Sequence, residues 1–203
     1  GLPLAQAFGQ AGLAVLGLDI DADKVAHINA GESYLNHLPV EPIAALVEAG
    51  QLAATTDFAR AGECDALLIC VPTPLTHHRE PDLSFVEATA RSLAPHLKAG
   101  QLVVLESTTW PGTTEEVLQP ILEEGSGPGN TEHNTATIPK VVGADSPGSL
   151  RAALNLYNAV MARTVPVNSA KFAEAVKITE NTFRAVNIAM VNELKMIFSE
   201  MEI

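Results

Sequence analysis

Short apolar runs alternate along the first 167 residues with segments of helical character. The apolar runs are typical of strands that are buried on both faces of a sheet; they cover 14–19, a short piece before Thr55, 65–71, 101–105, 138–143 and 164–167. The helical segments between them cover 1–11, 23–30, 42–49, 84–96, 113–124 and 149–162. This alternation predicts βαβ units and an α/β fold with a mostly parallel sheet.

The last part of the chain has a different pattern. No glycine or proline occurs after Ser169, which leaves 34 residues that are compatible with one helix. Helices in globular proteins average about 11–12 residues, so this one is unusually long. Apolar side chains follow one face of it along its full length: Val176, Phe183, Val186, Met190, Leu194 and Ile197. Such a stripe favours packing against a second subunit, and we expect a homodimer that forms through this helix.

Charge and composition exclude several functions. The net charge of the 203 residues is −12, with 5 basic and 17 acidic side chains before residue 131 and seven of each after it. This field repels nucleic acid and anionic membrane surfaces, and we expect neither as a partner. No apolar stretch is long enough to span a membrane. The two cysteines, Cys64 and Cys70, cannot form a disulfide framework, which favours a cytoplasmic protein.

An acidic residue ends the first apolar run. Asp19 follows a strand that comes after a helix opening at Gly1, and in dinucleotide-binding folds an acid at this place binds the adenosine ribose. A carboxylate there disfavours a 2′-phosphate, so the pattern indicates NAD rather than NADP. Gly1 would be the last glycine of the cofactor turn. The alternative is that Asp19 only caps the next helix.

Hydroxyl-bearing loops follow two of the later predicted strands. Val71, Pro72 and Thr73 leave the strand of residues 65–71, and Ser107 and Thr108 leave that of residues 101–105. Ligands of open α/β sheets bind at such carboxyl ends, and the prolines make the first loop rigid enough to present the Thr73 hydroxyl. The alternative is that these loops simply end their strands.

The long helix carries a polar row. Lys177, Asn181 and Arg184 stand at positions i, i+4 and i+7, and therefore within about 60° of one another on a helix. Two cations and an amide can bind an anionic or hydroxyl-rich ligand, and a lysine can also exchange a proton with it. The alternative is a solvated helix face. We expect no metal site, because the adjacent pair His77-His78 has no further ligand at a suitable spacing.

Several longer motifs resemble the UDP-glucose/GDP-mannose dehydrogenase family, the nucleotide-sugar 6-dehydrogenases. In chain order these motifs are Gly1-Leu2-Pro3-Leu4-Ala5, Val71-Pro72-Thr73-Pro74-Leu75, Glu80-Pro81-Asp82-Leu83-Ser84, Glu106-Ser107-Thr108-Thr109-Trp110-Pro111-Gly112-Thr113-Thr114, Pro128-Gly129-Asn130, Ile138-Pro139-Lys140-Val141-Val142-Gly143, Val165-Pro166-Val167, Glu174-Ala175-Val176-Lys177 and Glu180-Asn181-Thr182-Phe183-Arg184-Ala185-Val186-Asn187. The resemblance covers nearly the whole chain, and the forms are most similar to the UDP-N-acetylhexosamine 6-dehydrogenase branch.

The resemblance implies a Rossmann-like, doubly wound domain over residues 1–167 and a long central helix over residues 168–203. It also implies NAD as cofactor and a UDP-sugar as substrate: UDP-N-acetylglucosamine, UDP-N-acetylmannosamine or UDP-glucose. The activity would be a four-electron oxidation of the C6 alcohol to a uronate, in which a cysteine holds the intermediate as a thioester.

Residue roles follow from the same motifs. The resemblance makes Lys177 the acid/base, with Asn181 orienting the reacting oxygen or water, and it places Arg184 in the substrate site. The residues assigned to the cofactor are Gly1, Leu2, Asp19, Lys24, Val71, Pro72, Thr73, Ser107 and Thr108.

The sequence departs from the family pattern in three ways. The earlier glycines of the cofactor turn are absent, and a segment with a substrate-site glutamate is expected to be missing between Gly127 and Pro128. Neither Cys64 nor Cys70 matches the catalytic cysteine. We therefore expect an incomplete chain without the catalytic cysteine or the UDP-binding domain. Two alternatives stay open: an oxidoreductase similar to 6-phosphogluconate or hydroxyacid dehydrogenases, and a non-catalytic NAD-binding dimerisation module.

Overall fold

Strands and helices alternate in the computed structural model, which describes residues 1–35, 39–77, 81–126, 133–137 and 140–201. The strands are β1 (Val15–Leu18), β2 (Leu52–Thr55), β3 (Ala66–Ile69), β4 (Leu102–Leu105), β5 (His133–Thr137), β6 (Lys140–Ala144) and β7 (Thr164–Val167). The α-helices are α1 (Leu2–Gln10), α2 (Ala22–Asn29), α3 (Glu41–Glu48), α4 (Ser84–Leu93), α5 (Gln119–Ser126), α6 (Pro147–Asn158) and α7 (Ala170–Glu200). Short 3₁₀ helices cover Phe58–Glu63 and Ala94–His96, and a π-helical segment, Thr114–Leu118, leads into α5.

The strands form two sheets. One sheet consists of the parallel pair β1 and β2. The other contains β3 to β7 in chain order, and its strand pairs are parallel except for β5 and β6, which are antiparallel. The prediction of an α/β fold with a mostly parallel sheet is therefore confirmed. Within the described residues, no strand joins the two sheets.

The strand β4 is at the centre of the larger core and is buried on both faces. Val103 and Leu105 point into a cluster formed with α4 and α5, whereas Leu102 and Val104 contact α6 and the Phe8 ring of α1. This arrangement explains why the strand appears in the sequence as an uninterrupted apolar run. Helices thus cover both faces of the sheet.

Helix α1 connects the two sheets. Its Phe8 belongs to the core under α6, while its Leu2 packs with residues of α2, α3 and β2 in a second, smaller core. Leu18, the last residue of β1, packs against the cluster that contains Ile69, the last residue of β3. The carboxyl ends of β1 and β3 therefore lie near each other, beside the start of α1.

The sequence of residues 125–134 is typical of a loop, or of a place where residues are missing. In the described residues at its two ends, α5 continues to Ser126 and β5 begins at His133. The sequence of β5, HNTAT, has no apolar run, and the strand forms because it pairs with β4 on one side and β6 on the other. The expected missing segment between Gly127 and Pro128 lies outside the described residues.

The predicted long helix is confirmed as α7, which begins where the Ser169 hydroxyl accepts a hydrogen bond from the Phe172 amide at 3.1 Å. Its base passes β6 very closely. A methyl group on Gly143 would overlap the carbonyl oxygen of Ser169 and lie 2.9 Å from the Cβ atom of Ala173. Within the described part of the chain, no helix combines the length and apolarity that crossing a membrane requires.

Candidate functional site

The start of α1 lies beside the end of β3. A Cβ atom on Gly1 would lie 3.7 Å from the Cβ atom of Cys70, the residue directly after β3. Gly1 is the N-cap of α1 and supplies no side-chain cap, and the first turn contains no acidic residue. The positive end of the helix dipole is thus left without a negative side chain, which suits an anionic group.

Asp19 extends from the end of β1, with about a third of its side chain exposed. Its Oδ1 accepts a hydrogen bond from the Asp21 amide at 2.9 Å, and its Oδ2 lies 3.9 Å from the Lys24 ammonium. The N-cap of α2 is Asp21, whose carboxylate accepts from the amides of Asp23 and Lys24. The capping alternative for Asp19 is therefore not supported, because another residue performs that function.

Lys24 stands between two carboxylates and an aromatic ring. Its ammonium lies 3.4 Å from Asp21 Oδ2 and 6.0 Å from the centre of the Tyr34 ring. The negative charge of Asp19 is the main cause that raises the pKa of Lys24. Burial raises the pKa of Tyr34, and the charge of Asp19 adds to this effect. A cation, an acid and a phenol are thus grouped at the end of β1.

The loops after β3 and β4 are joined by two reciprocal hydrogen bonds. The Thr73 hydroxyl donates to the Thr108 carbonyl at 2.8 Å, and the Ser107 hydroxyl donates to the Val71 carbonyl at 2.6 Å. The sequence prediction that the Thr73 hydroxyl is presented to a ligand needs refinement, because its proton already has an acceptor. Both hydroxyl oxygens keep lone pairs that can accept a hydrogen bond.

The loop after β4 also contains polar groups that sequence reasoning did not single out. The hydroxyl of Thr109 is buried and has no hydrogen-bond partner within the described residues. The phenol of Tyr157, from α6, donates to the Glu106 carboxylate. Burial raises the pKa of Tyr157 far above its usual value, and the negative charge of Glu106 raises it further. No sequence signal linked Tyr157 to Glu106, since 51 positions separate them.

The predicted polar row on α7 is only partly withdrawn from solvent. Lys177 and Asn181 are half-buried, whereas Arg184 is exposed and bonds Glu180 at 2.7 Å, one helical turn away. The solvated-face alternative therefore describes Arg184, while for Lys177 and Asn181 both interpretations stay open. From Phe183 onward the apolar stripe on the opposite face is exposed as well, with 72% of Phe183 and 61% of Val186 accessible.

Glu174, three residues before Lys177, is the buried acid that the sequence analysis did not assign to the site. Only 3% of the residue is exposed. Its carboxylate accepts hydrogen bonds from the Gly112 amide at 2.6 Å, the Thr114 amide at 2.9 Å and the Thr114 hydroxyl at 2.7 Å. The base of α7 is thereby fixed to the segment that continues the loop after β4.

Two family models match this chain. Residues 1–161 match the NAD binding domain of the UDP-glucose/GDP-mannose dehydrogenase family, and residues 171–203 match the central domain of the same family. The chain belongs to this family. The resemblance stated from the motifs is thus confirmed, and so is NAD as the cofactor of the matched domain.

Relatives in the UDP-glucose/GDP-mannose dehydrogenase family are named as dehydrogenases of UDP-sugars. The chain is 36% identical to the UDP-N-acetyl-D-glucosamine 6-dehydrogenase of Pseudomonas aeruginosa, covering 100% of this chain and 51% of the relative. It is also 36% identical to the UDP-N-acetyl-D-mannosamine dehydrogenase of Escherichia coli (strain K12), covering 98% and 53%. A solved UDP-glucose dehydrogenase from Pyrobaculum islandicum is similar at 27% identity and a TM-score of 0.88, covering 96% of this chain and 49% of that one. The chain spans about half the length of these proteins.

The residues of this family member fit a dinucleotide. The Oδ2 atom of Asp19 lies 3.9 Å from the Lys24 ammonium, which is too far for a hydrogen bond. This oxygen can therefore accept hydrogen bonds from a ribose diol. The uncapped start of α1 suits a pyrophosphate, and the buried Thr109 hydroxyl leaves an unused donor in the loop after β4. Within the described part of the chain, no group of three or more potential ligands could hold a metal ion.

Proposed function

We propose that this chain is the cofactor-binding and central-helix part of an NAD-dependent dehydrogenase that oxidises the C6 alcohol of a UDP-sugar to a uronate. The observation that supports the proposal is the attachment of the base of α7 to the segment after β4, which runs through Glu174, three residues before the half-buried Lys177. The names of the relatives favour a UDP-N-acetylhexosamine as substrate, with UDP-glucose as the other candidate.

Binding of NAD would use groups from the ends of three strands. Asp19, with Lys24 beside it, accepts the ribose hydroxyls, and the backbone of Gly1 and Leu2 at the start of α1 binds the pyrophosphate. Val71, Pro72 and Thr73, together with Ser107 and Thr108, form the wall for the remaining part of the cofactor. The two hydrogen bonds between these loops support this role, because they hold the wall rigid before the cofactor arrives.

The reacting alcohol would lie against α7. When bound, NAD supplies the acceptor for the hydride. Lys177 takes the proton of the C6 hydroxyl and stabilises the negative charge that develops on its oxygen, while Asn181 orients that oxygen with its amide. Arg184 binds an anionic part of the substrate and exchanges its contact with Glu180 for this one.

The assembled protein is proposed to be a cytoplasmic homodimer. The exposed apolar stripe of α7 supports the dimer, since a contiguous apolar face of this length favours burial against another surface. Both cysteines, Cys64 and Cys70, are free, which is compatible with the reducing cytoplasm. The division into residues 1–167 and 168–203 is part of the same proposal.

Titration calorimetry with NAD tests the cofactor assignment. Asp19→Ala removes a carboxylate that would accept two hydroxyls, and charged hydrogen bonds contribute about 1.5–3 kcal/mol each. The dissociation constant should therefore increase by at least about tenfold. Asp57→Ala is the matched control, because Asp57 is likewise an acid that follows a parallel strand, but it caps a short 3₁₀ helix and belongs to no proposed site. An unchanged constant in Asp19→Ala, or an equal loss in both variants, would contradict the assignment.

The activity is tested in the complete protein. NADH absorbance is followed with UDP-N-acetylglucosamine, UDP-N-acetylmannosamine and UDP-glucose in turn, and the four-electron oxidation should release two NADH for each uronate. Absence of NADH formation with each of the three sugars would refute the proposed function.

A further inference from the structure

The carboxylate of Glu174 joins two segments that carry site residues. One of these segments is α7 itself, which contains Lys177 and Asn181 as well as Glu174. The other segment contains Gly112 and Thr114, which follow the loop with Thr108 and donate backbone hydrogen bonds to the Glu174 carboxylate. The acceptor is charged and buried, and its donors are two backbone amides and one hydroxyl. Hydrogen bonds to an ionised acceptor are about twice as strong as neutral ones and hold a narrower geometry.

The position of Glu174 on the helix matters for the polar row. At about 100° per residue, Glu174 and Asn181 point within about 20° of each other, and Glu174 and Lys177 within about 60°. A helix anchored through Glu174 therefore turns the face of Lys177 and Asn181 toward the sheet edge. If the anchor is lost, a rotation of about 20° moves a side chain at a radius of about 5–6 Å by about 2 Å.

Other contacts also hold the base of α7. Ala173 packs against β6 at Gly143, and the Ala170 amide donates to the Asp145 carboxylate at 3.2 Å. The Lys171 ammonium bonds Glu116 at 3.0 Å, but both side chains are more than half exposed, so the pair restrains the helix weakly. These contacts should keep α7 docked when the Glu174 carboxylate is removed.

We propose that Glu174 is a positioning residue, which sets the rotation of α7 so that Lys177 and Asn181 face the reacting carbon beside the loop after β4. The inference rests on the proposed function. It assigns to the acid a role in the turnover rate and not in cofactor affinity, because neither the carboxylate nor its three donors belong to the NAD-binding residues.

The test compares four variants of the complete protein: Glu174→Gln, Thr114→Val, Thr114→Ser and Lys171→Ala. A displacement of about 1 Å in a reacting group costs up to about 100-fold in rate, so Glu174→Gln should lower kcat by about 10–100-fold while the NAD dissociation constant stays within about twofold. Thr114→Val removes one of the three hydrogen bonds and should lower kcat less. Thr114→Ser keeps the hydroxyl that Thr114→Val lacks, so its kcat should be close to that of the wild type. Lys171→Ala should also resemble the wild type.

Two results would overturn the inference in an active protein. One is a wild-type kcat in Glu174→Gln; the other is a parallel loss of kcat, NAD affinity and melting temperature, which indicates a general loss of structure. If Glu174→Gln does not fold, the Thr114→Val and Thr114→Ser pair decides the question in the same way.

Amide hydrogen exchange separates this inference from the proposed function. If the wild type oxidises no UDP-sugar, the proposed function fails, and the anchor is then judged by exchange alone. Glu174→Gln should accelerate exchange at residues 112–114 and 174–181 by about tenfold or more, with β1 and β2 unchanged. Unchanged exchange at residues 112–114 would show that the carboxylate anchors nothing.

Discussion

Replacing Gly143 by alanine inserts one methyl group where β6 passes the base of α7. The new Cβ atom would overlap the Ser169 carbonyl group, whose carbon would lie 2.8 Å away, and would lie 2.9 Å from the Cβ atom of Ala173. The strand cannot move aside, because it is paired with β5 on one edge and β7 on the other. The base of α7 therefore has to move outward, and with it the row that contains Lys177.

The cost of this displacement follows from two contributions. Inserting a methyl group into a packed interior destabilises a protein by about 1–3 kcal/mol. The hydrogen bond from the Ala170 amide to Asp145, already 3.2 Å long, would be lost at a cost of about 0.5–1.5 kcal/mol. Together these contributions predict a loss of about 1.5–4.5 kcal/mol, and thus a melting temperature lower by about 3–18 °C for a chain of this size.

Thermal unfolding followed by circular dichroism measures the effect, with Gly17→Ala as the matched control. Gly17 also lies within a strand, but a Cβ atom there would lie 3.6 Å from the Cβ atom of Ala54, an ordinary contact. Where an alanine fits, it stabilises by about 0.4–1 kcal/mol because the unfolded chain loses freedom. If Gly143→Ala melts within about 2 °C of the wild type, the close packing of β6 against α7 is wrong.

Two further predictions concern Tyr157 and the apolar stripe. Since the pKa of Tyr157 is raised in the folded protein, the unfolded chain loses this proton first as the pH rises above about 10, and the free energy of unfolding should fall by about 1.4 kcal/mol per pH unit. Urea titrations at several alkaline pH values should show a shallower decline for Tyr157→Phe, and equal slopes would contradict the burial of the phenol. Light scattering should give a dimeric mass for the wild type and a monomeric mass for Leu194→Glu, whereas a monomeric wild type would refute the proposed dimer.

The sequence predicted most strands and helices because their signals are local. The strand β4 is an apolar run that is buried on both faces, and α7 is a segment without glycine or proline. The strand β5 escaped detection because nothing in HNTAT distinguishes a strand from a loop. Its conformation is imposed by the backbone of β4 and β6, and a pattern of side chains cannot contain that information.

The candidate site was predictable only where a residue follows a recognisable strand or lies on a recognisable helix. Asp19 was proposed because it ends an apolar run, and Lys177 with Asn181 because their spacing places them on one face; these assignments stay predictions. Glu174 and its partner Thr114 are 60 residues apart, and an acid in a long helix usually faces water. Only the packing of α7 against the π-helical segment reveals that this acid is buried.

The reciprocal hydrogen bonds between the loops after β3 and β4 have a consequence for protein engineering. Each loop supplies the acceptor for the hydroxyl of the other, Thr73 to Thr108 and Ser107 to Val71. Transplanting one loop from a relative with different specificity would leave unmatched donors and carbonyls at the seam. Residues 71–73 and 107–108 therefore form one exchangeable unit, and chimeras that divide the unit should lose cofactor affinity even when each parent sequence is functional.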